Sequence, residues 1–188
     1  MDDKIDNGKI IMQKEFKIND NDNYASLMKK VESHGSDIVI KTIENIANNA
    51  KYQQQDESNI SYAPKIQKEM LLINCFENSN TNHNKVRAFA PIPGAFVKIN
   101  NKRLKILKTR KTSISSLKVN ISKIFIKKNK VFIGCSERLL ELLEVQFEGK
   151  KKMNALSWAR GQIIGSQGVI LNLFFIHISE PKRPLYIS

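Results

Sequence analysis

Cysteine is scarce. Cys75 and Cys135 are the only two in 188 residues, too few for a disulfide scaffold or a Cys-rich metal site. Both read as reduced, buried thiols of a cytosolic protein. Histidine is as thin: His34, His83 and His177 stand far apart, and no metal-ligand spacing, Gly-rich phosphate loop or nucleophile elbow accompanies them. Long apolar runs are missing too. The most apolar stretch, Ile163 to Ile178, is broken by Gly165, Ser166, Gln167, Gly168, Asn172 and His177, and is short of the ~20 residues that cross a bilayer. The N-terminus is acidic and polar, unlike a signal peptide. The expectation is a cytoplasmic chain with no metal and no membrane partner.

Basic residues far outnumber acidic ones in one long segment. Residues 98–152 carry 16 Lys/Arg against 4 Glu, whereas residues 1–97 carry 12 against 13 and residues 153–188 carry 3 against 1. Nearly all of the chain's formal charge of +13 therefore belongs to one stretch. Two readings of it stand level on composition: a Lys-rich solvated surface, or a site for a polyanion. Aromatic residues make up 7%, few for stacking on single strands, so a polyanion site here would suit the shape of an RNA duplex.

What is present has the balance of a globular protein, 41% hydrophobic and 26% charged. Residues 9–18 alternate as a strand. Asn19–Asn23 form a polar loop able to cap a helix after it. From Tyr24 to about Ala50 the period turns helical, with Leu27, Val31, Ile38, Ile43 and Ile46 near one face, and Gly35-Ser36 marks a break or a close-packing site. A strand and a long helix are the tail of an α/β unit that needs further strands, so the chain is expected to begin inside a domain. Residues 51–64 are polar and read as a linker. Residues 78–84, NSNTNHN, are poor helix material.

The centre of the chain is residues 85–108, KVRAFAPIPGAFVKINNKRLKILK. Pro91 and Pro93 end a short basic helix. Gly94 permits a tight turn, Ala95–Ile99 alternates as a strand, and Asn100-Asn101 is a two-residue hairpin turn. The return strand places Leu104, Ile106 and Lys108 on one face, with Arg103, Lys105 and Leu107 on the other. Two more alternating runs, joined by Lys127-Lys128-Asn129-Lys130, and a third over Leu139–Phe147 bring the total to five or so short strands, the pattern of a small barrel.

That centre also carries a resemblance. R-A-F-x-P-x-P-G-A-[FY] with K-R-L-K-I after it resembles the C-terminal domain of methionyl-tRNA formyltransferases. Three more segments match in order: Met1–Gly8 (MDDKIDNG), Gln55–Ile66 (QDESNISYAPKI), and Leu142–Met153 (LLEVQFEGKKKM). Ile73-Asn74-Cys75 stands where the family has I-D-W, and Lys118-Val119-Asn120-Ile121 where it has P-G-x-[IV]. The resemblance implies an α+β chain: the remnant strand and helix of an α/β formyltransferase domain (1–51), a linker (52–64), and a small OB-like antiparallel β-barrel (65–160). Residues 161–188 match nothing expected and read as an atypical tail, out of frame or a genuine extension.

The activity implied is formyl transfer from 10-formyltetrahydrofolate to the amine of initiator methionyl-tRNA, by a monomer, in translation initiation. An Asn and a protonated His would stabilise the oxyanion while an Asp orients the His. Asp6 matches the Asp; no position here matches the other two, and most of the folate pocket would lie in the half not seen. Lys65, Arg103, Lys105 and Lys108 are the preferred tRNA contacts, then Lys150, Lys151 and Lys152. Arg87 is either a contact or an anchor for carbonyls at its helix end. Outside this reading stand a free-standing basic RNA-binding module without catalysis, and a relative that formylates a sugar nucleotide.

Overall fold

The computed structural model describes residues 7–48, 51–56, 58, 60–116, 121–162 and 169–172. The chain divides into two units, Met1–Met70 and Leu71–Ser188. In the first, helix α1 (Tyr24–Ala47) begins where the sequence supplies a capping box. The Asn23 side chain accepts from Ser26 N at 2.9 Å, and Ser26 Oγ accepts from Asn23 N at 3.0 Å. These two bonds satisfy donors that no earlier turn can reach. Hydrogen bonding from Lys30, then from Asn19 N, pulls the Asp22 carboxyl down to about 2. The helix runs through Gly35 and Ser36 unbroken, and nothing described lies within 4 Å of where a Gly35 Cβ would be, so the pair marks neither the break nor the close packing it offered.

The strand expected over residues 9–18 is not formed. Its only ladder contact among the described residues is an isolated bridge between Ile10 and Gln53. An alternating sequence becomes a strand only beside a partner, and none lies beside this one among the described residues. No residue of α1 is buried either; Val39, Ile40 and Ile43 are each more than half exposed.

The second unit opens with α2 (Ser79–Phe89) and continues through β1 (Ala95–Ile99), β2 (Lys102–Ser115), β3 (Lys123–Lys127), β4 (Lys130–Gly134), β5 (Arg138–Phe147) and β6 (Met153–Asn154). Then come α3 (Ala155–Arg160) and β7 (Val169–Asn172). The strands form one antiparallel sheet in the order β1-β2-β5-β4-β3-β7, with β6 pairing β5. No pair joins β1 to the far edge among the described residues, so the sheet is open. The α+β class of the sequence reading holds, but its small OB-like β-barrel is not found: the described strands form an open sheet.

Helix α2 overturns the expectation for residues 78–84, because its polar residues are partners and not solvated fillers. Asn78 caps Thr81 N at 2.7 Å. Asn82 is fully buried and donates through Nδ2 to Asn74 O at 2.8 Å. His83 is buried, with Nδ1 2.8 Å from Thr109 Oγ1. Tertiary bonds have overridden weak propensity. The core beneath includes Ile73, Val86, Leu104, Ile106, Ile133 and Trp158. Cys75 and Cys135 belong to it as free thiols. Burial pushes Cys135 up to about 11, and Cys75 further.

The helix-to-hairpin passage is shaped by its prolines and glycine. Ala90 leaves the helix in extended geometry, and Gly94, at φ 86°, donates its N–H to Phe89 O at 2.9 Å. A Cβ on Gly94 would sit 3.1 Å from Lys105 Cδ and 3.3 Å from Pro91 O. Gly94→Ala therefore meets both an unfavourable φ and a backbone oxygen, and a loss of about 1–3 kcal/mol is expected, read as a lower urea midpoint at unchanged slope. A loss under about half a kcal/mol would show that the turn relaxes freely.

Both short hairpins use two left-handed residues, Asn100-Asn101 (φ 45° and 63°) and Lys128-Asn129 (φ 47° and 57°), as two-residue turns between right-twisted strands require. Between Ile106 and Thr109 the β2–β5 ladder is irregular. Ile106 faces Val145, Thr109 faces Leu142, and two residues on each strand lie between these pairs. Lys108, expected beside Leu104 and Ile106, is exposed opposite Glu144, and Thr109 takes the inner place.

Candidate nucleic-acid interface

The sheet sorts its cations by parity and by turn. In the β1–β2 ladder, Lys98 faces Arg103, and Phe96 faces Lys105, which in turn faces Gln146 of β5. These side chains share the face opposite to buried Val97, Leu104 and Ile106. Lys102, first residue of β2 after the Asn100-Asn101 turn, and Lys128, in the turn between β3 and β4, are both exposed.

Three glutamates are set among these cations. Glu141, buried to 5% exposure, pairs with Arg110 at 3.3 Å and Lys130 at 3.8 Å. Glu144 pairs with Lys152 at 3.5 Å. Glu148 Oε2 accepts from Arg103 N at 2.7 Å and lies 3.6 Å from its Nε. The Arg103 N–H first, and its guanidinium charge next, hold the Glu148 carboxyl below the usual carboxylate range. The Arg103 guanidinium sits 6.0 Å from the centre of the Phe96 ring, within cation–π range. The exposed pairs at Glu144 and Glu148 contribute little to stability; their effect is to fix where charge points.

Arg103, Lys105, Gln146, Phe147, Glu148 and Gly149 line a depression of about 210 Å³ at the open ends of β2 and β5. Of the residues the sequence put forward, Arg103 and Lys105 stand at it. Lys150 and Lys151 are exposed just beyond it on the chain, and Lys150 O accepts from Gln146 Nε2 at 2.9 Å. Lys108 and Lys152 lie on or beside Glu144. Arg87 is half-buried on α2, and its Nε donates to Asn84 Oδ1 at 3.0 Å. Lys65 is exposed in the first unit, and Asp6 lies outside the described residues. Lys98, Lys102, Lys127, Lys128 and Arg160 were not singled out from sequence, though all are exposed. Their signal was the pair of turns, which sequence alone presents as mere connectors.

The described residues contain no group of His, Cys, Asp and Glu able to hold a metal ion, and no described helix is long and apolar enough to cross a membrane. What the second unit offers is an open antiparallel sheet with cations along one face and at its turns, fit for an extended polyanion.

Comparison with known proteins assigns the class. Residues 65–162 match the family described as formyl transferase, C-terminal domain, and the chain belongs to that family. A methionyl-tRNA formyltransferase of Syntrophomonas wolfei is 34% identical over 163 residues, which is 86% of this chain and 52% of that protein. The chain thus spans about half the length of the curated relatives it matches. Among solved structures, the sugar 3N-formyl transferase WlaRD, solved with dTDP and 5-N-formyl-tetrahydrofolate, aligns at TM-score 0.57 and 26% identity, over 80% of this chain and 53% of that one. HypX from Aquifex aeolicus in complex with tetrahydrofolic acid aligns at 0.60 and 17%, over 84% and 28%, a likeness of fold.

Proposed function

We propose that this chain is the C-terminal portion of a methionyl-tRNA formyltransferase, and that its sheet unit holds the initiator tRNA while the rest of the protein transfers a formyl group from 10-formyltetrahydrofolate to the methionyl amine. The observation that carries this is the concentration of exposed cations on the unit matched by the formyl transferase C-terminal family, in a chain whose curated relatives are named for methionyl-tRNA. Backbone phosphates account for such a surface: cations spaced along strands and turns give affinity and position without reading bases. The test is retention of a tRNA transcript by the 188-residue chain at low salt. A chain that leaves the transcript free overturns the reading.

Asp6 is proposed as the aspartate that orients the catalytic histidine. The Asn and His partners have no matching position in this sequence, and losing preorganised oxyanion donors costs about 10²–10³ in rate per group. The 188-residue chain alone is therefore expected to leave methionyl-tRNA unformylated in the presence of the folate donor. Formylation at the rate of a full-length relative would overturn the assignment of the chemistry to the remainder.

A second reading, formyl transfer to a sugar nucleotide, has the likeness to WlaRD in its favour. A small sugar substrate gives no reason for a net charge of +12 over residues 98–152, and tRNA competition against a nucleotide sugar separates the two.

A further inference from the structure

Within the cationic face, one group contradicts a purely phosphate-binding surface. Glu148 places a carboxylate at the rim of the depression that Arg103 and Lys105 also line. A phosphate bound there would be repelled by it, as like charges a few ångströms apart are. Holding Arg103 occupies one carboxylate oxygen of Glu148 and leaves the other without a role on that face. Its Oε2 is occupied by Arg103 N, while Oε1 has no partner among the described residues. Gln146 is similar: its Nε2 is spent on Lys150 O, and its Oε1 has no donor among the described residues. Two acceptor oxygens thus wait among cations, and an ionised carboxylate only accepts.

The partner that satisfies both the cations and the acceptors is an anion that carries hydroxyl donors. At about 210 Å³, the depression is smaller than the ~300–1,000 Å³ that enclose a drug-sized ligand, and admits one sugar–phosphate unit edge-on. Gly149, with its φ of 75°, supplies backbone to the lining. We propose that this depression is a ribose-reading subsite, in which Glu148 Oε1, with Gln146 Oε1 beside it, accepts the hydrogen bond of an RNA 2′-hydroxyl while Lys105 and Arg103 hold the adjoining phosphate. The 2′-hydroxyl is the group by which a protein distinguishes RNA from DNA at a given position. Glu148 would then give up some affinity, through repulsion of phosphate, in return for selecting RNA. This rests on the tRNA-binding reading and deepens it.

The test is a cycle with two duplexes of one sequence, an unmodified RNA and its 2′-O-methyl counterpart, which keeps the phosphates and removes the hydroxyl donors. Both are titrated against the full 188-residue chain and its Glu148→Ala and Glu148→Gln variants at one salt concentration. The native chain is expected to bind unmodified RNA about tenfold more tightly than the methylated duplex, equivalent to ~1.4 kcal/mol. Glu148→Ala should bring the two affinities within about twofold of each other, largely by tightening the methylated complex as the repulsion is removed. Glu148→Gln keeps one acceptor oxygen for the two roles, Arg103 N and the hydroxyl, so its preference should fall between those of the native chain and Glu148→Ala. A preference unchanged in Glu148→Ala, or absent in the native chain, overturns the subsite while leaving RNA binding standing. Failure of the native chain to bind either duplex overturns the RNA reading itself. Because the methylated duplex probes the unaltered protein, a folding defect in a variant cannot hide the answer.

Discussion

Binding of tRNA by this chain is expected to fall about 60- to 1,000-fold between 50 and 200 mM salt, the consequence of a log–log slope of about −3 to −5 if 4–6 phosphates are neutralised. The Arg103→Ala/Lys105→Ala double variant should flatten that slope and leave the fold intact, since Arg103 is half-exposed and Lys105 lies on the outer face of the β1–β2–β5 ladder. Two full cations would account for a change of nearly two units. Arg103 is already held by Glu148, so part of its charge is compensated before RNA arrives, and the expected change is nearer one unit. The measurement is fluorescence anisotropy of labelled tRNA at four or more salt concentrations. A flat response in the native chain, or an identical slope in the double variant, would return the basic segment to the ordinary lysine-rich surfaces.

Trp158→Ala should cost about 3–5 kcal/mol, a large share of the ~5–15 kcal/mol that holds a domain folded. Helix α3 has six residues, far too few to persist without packing. It is held because Ala155, Trp158 and Ala159 are buried against the sheet core. The indole Nε1 is buried without a hydrogen-bond partner among the described residues, and deleting it relieves that cost, so the lower end of the range is the better figure. Urea unfolding monitored by circular dichroism gives the number. A shift under about 1 kcal/mol would mean that α3 is an appendage and not part of the core.

The features legible in the sequence are those whose cause is local. The capping box at Asn23, the extent of α1, the Asn100-Asn101 turn and the strand after it need only neighbouring residues to explain them. The charge of residues 98–152 was equally plain, because counting charge requires no knowledge of pairing. Other features turned on partners distant in the chain. Residues 9–18 have the alternation of a strand and, among the described residues, no strand beside them. Residues 78–84 look unsuited to a helix until Asn74, Thr109 and Cys135 are brought to Asn82 and His83. Sheet closure depends on which edges meet, which alternation does not encode. Glu148 was passed over in the sequence because the residue it restrains lies 45 positions earlier.

The irregularity in the β2–β5 ladder has a further consequence, for how the sequence can change. Leu107-Lys108 on one strand and Leu143-Glu144 on the other each insert one residue beyond strict alternation between inward positions. The two insertions keep the strands in step with each other while shifting both by one face. Losing a residue from only one strand would leave two residues opposing one and send everything beyond it to the wrong side of the sheet. Lengths here must therefore change as a pair. Insertions and deletions at residues 107–108 should be found only with matching ones at 143–144, so that these short segments evolve as a single unit although some 35 residues of chain separate them.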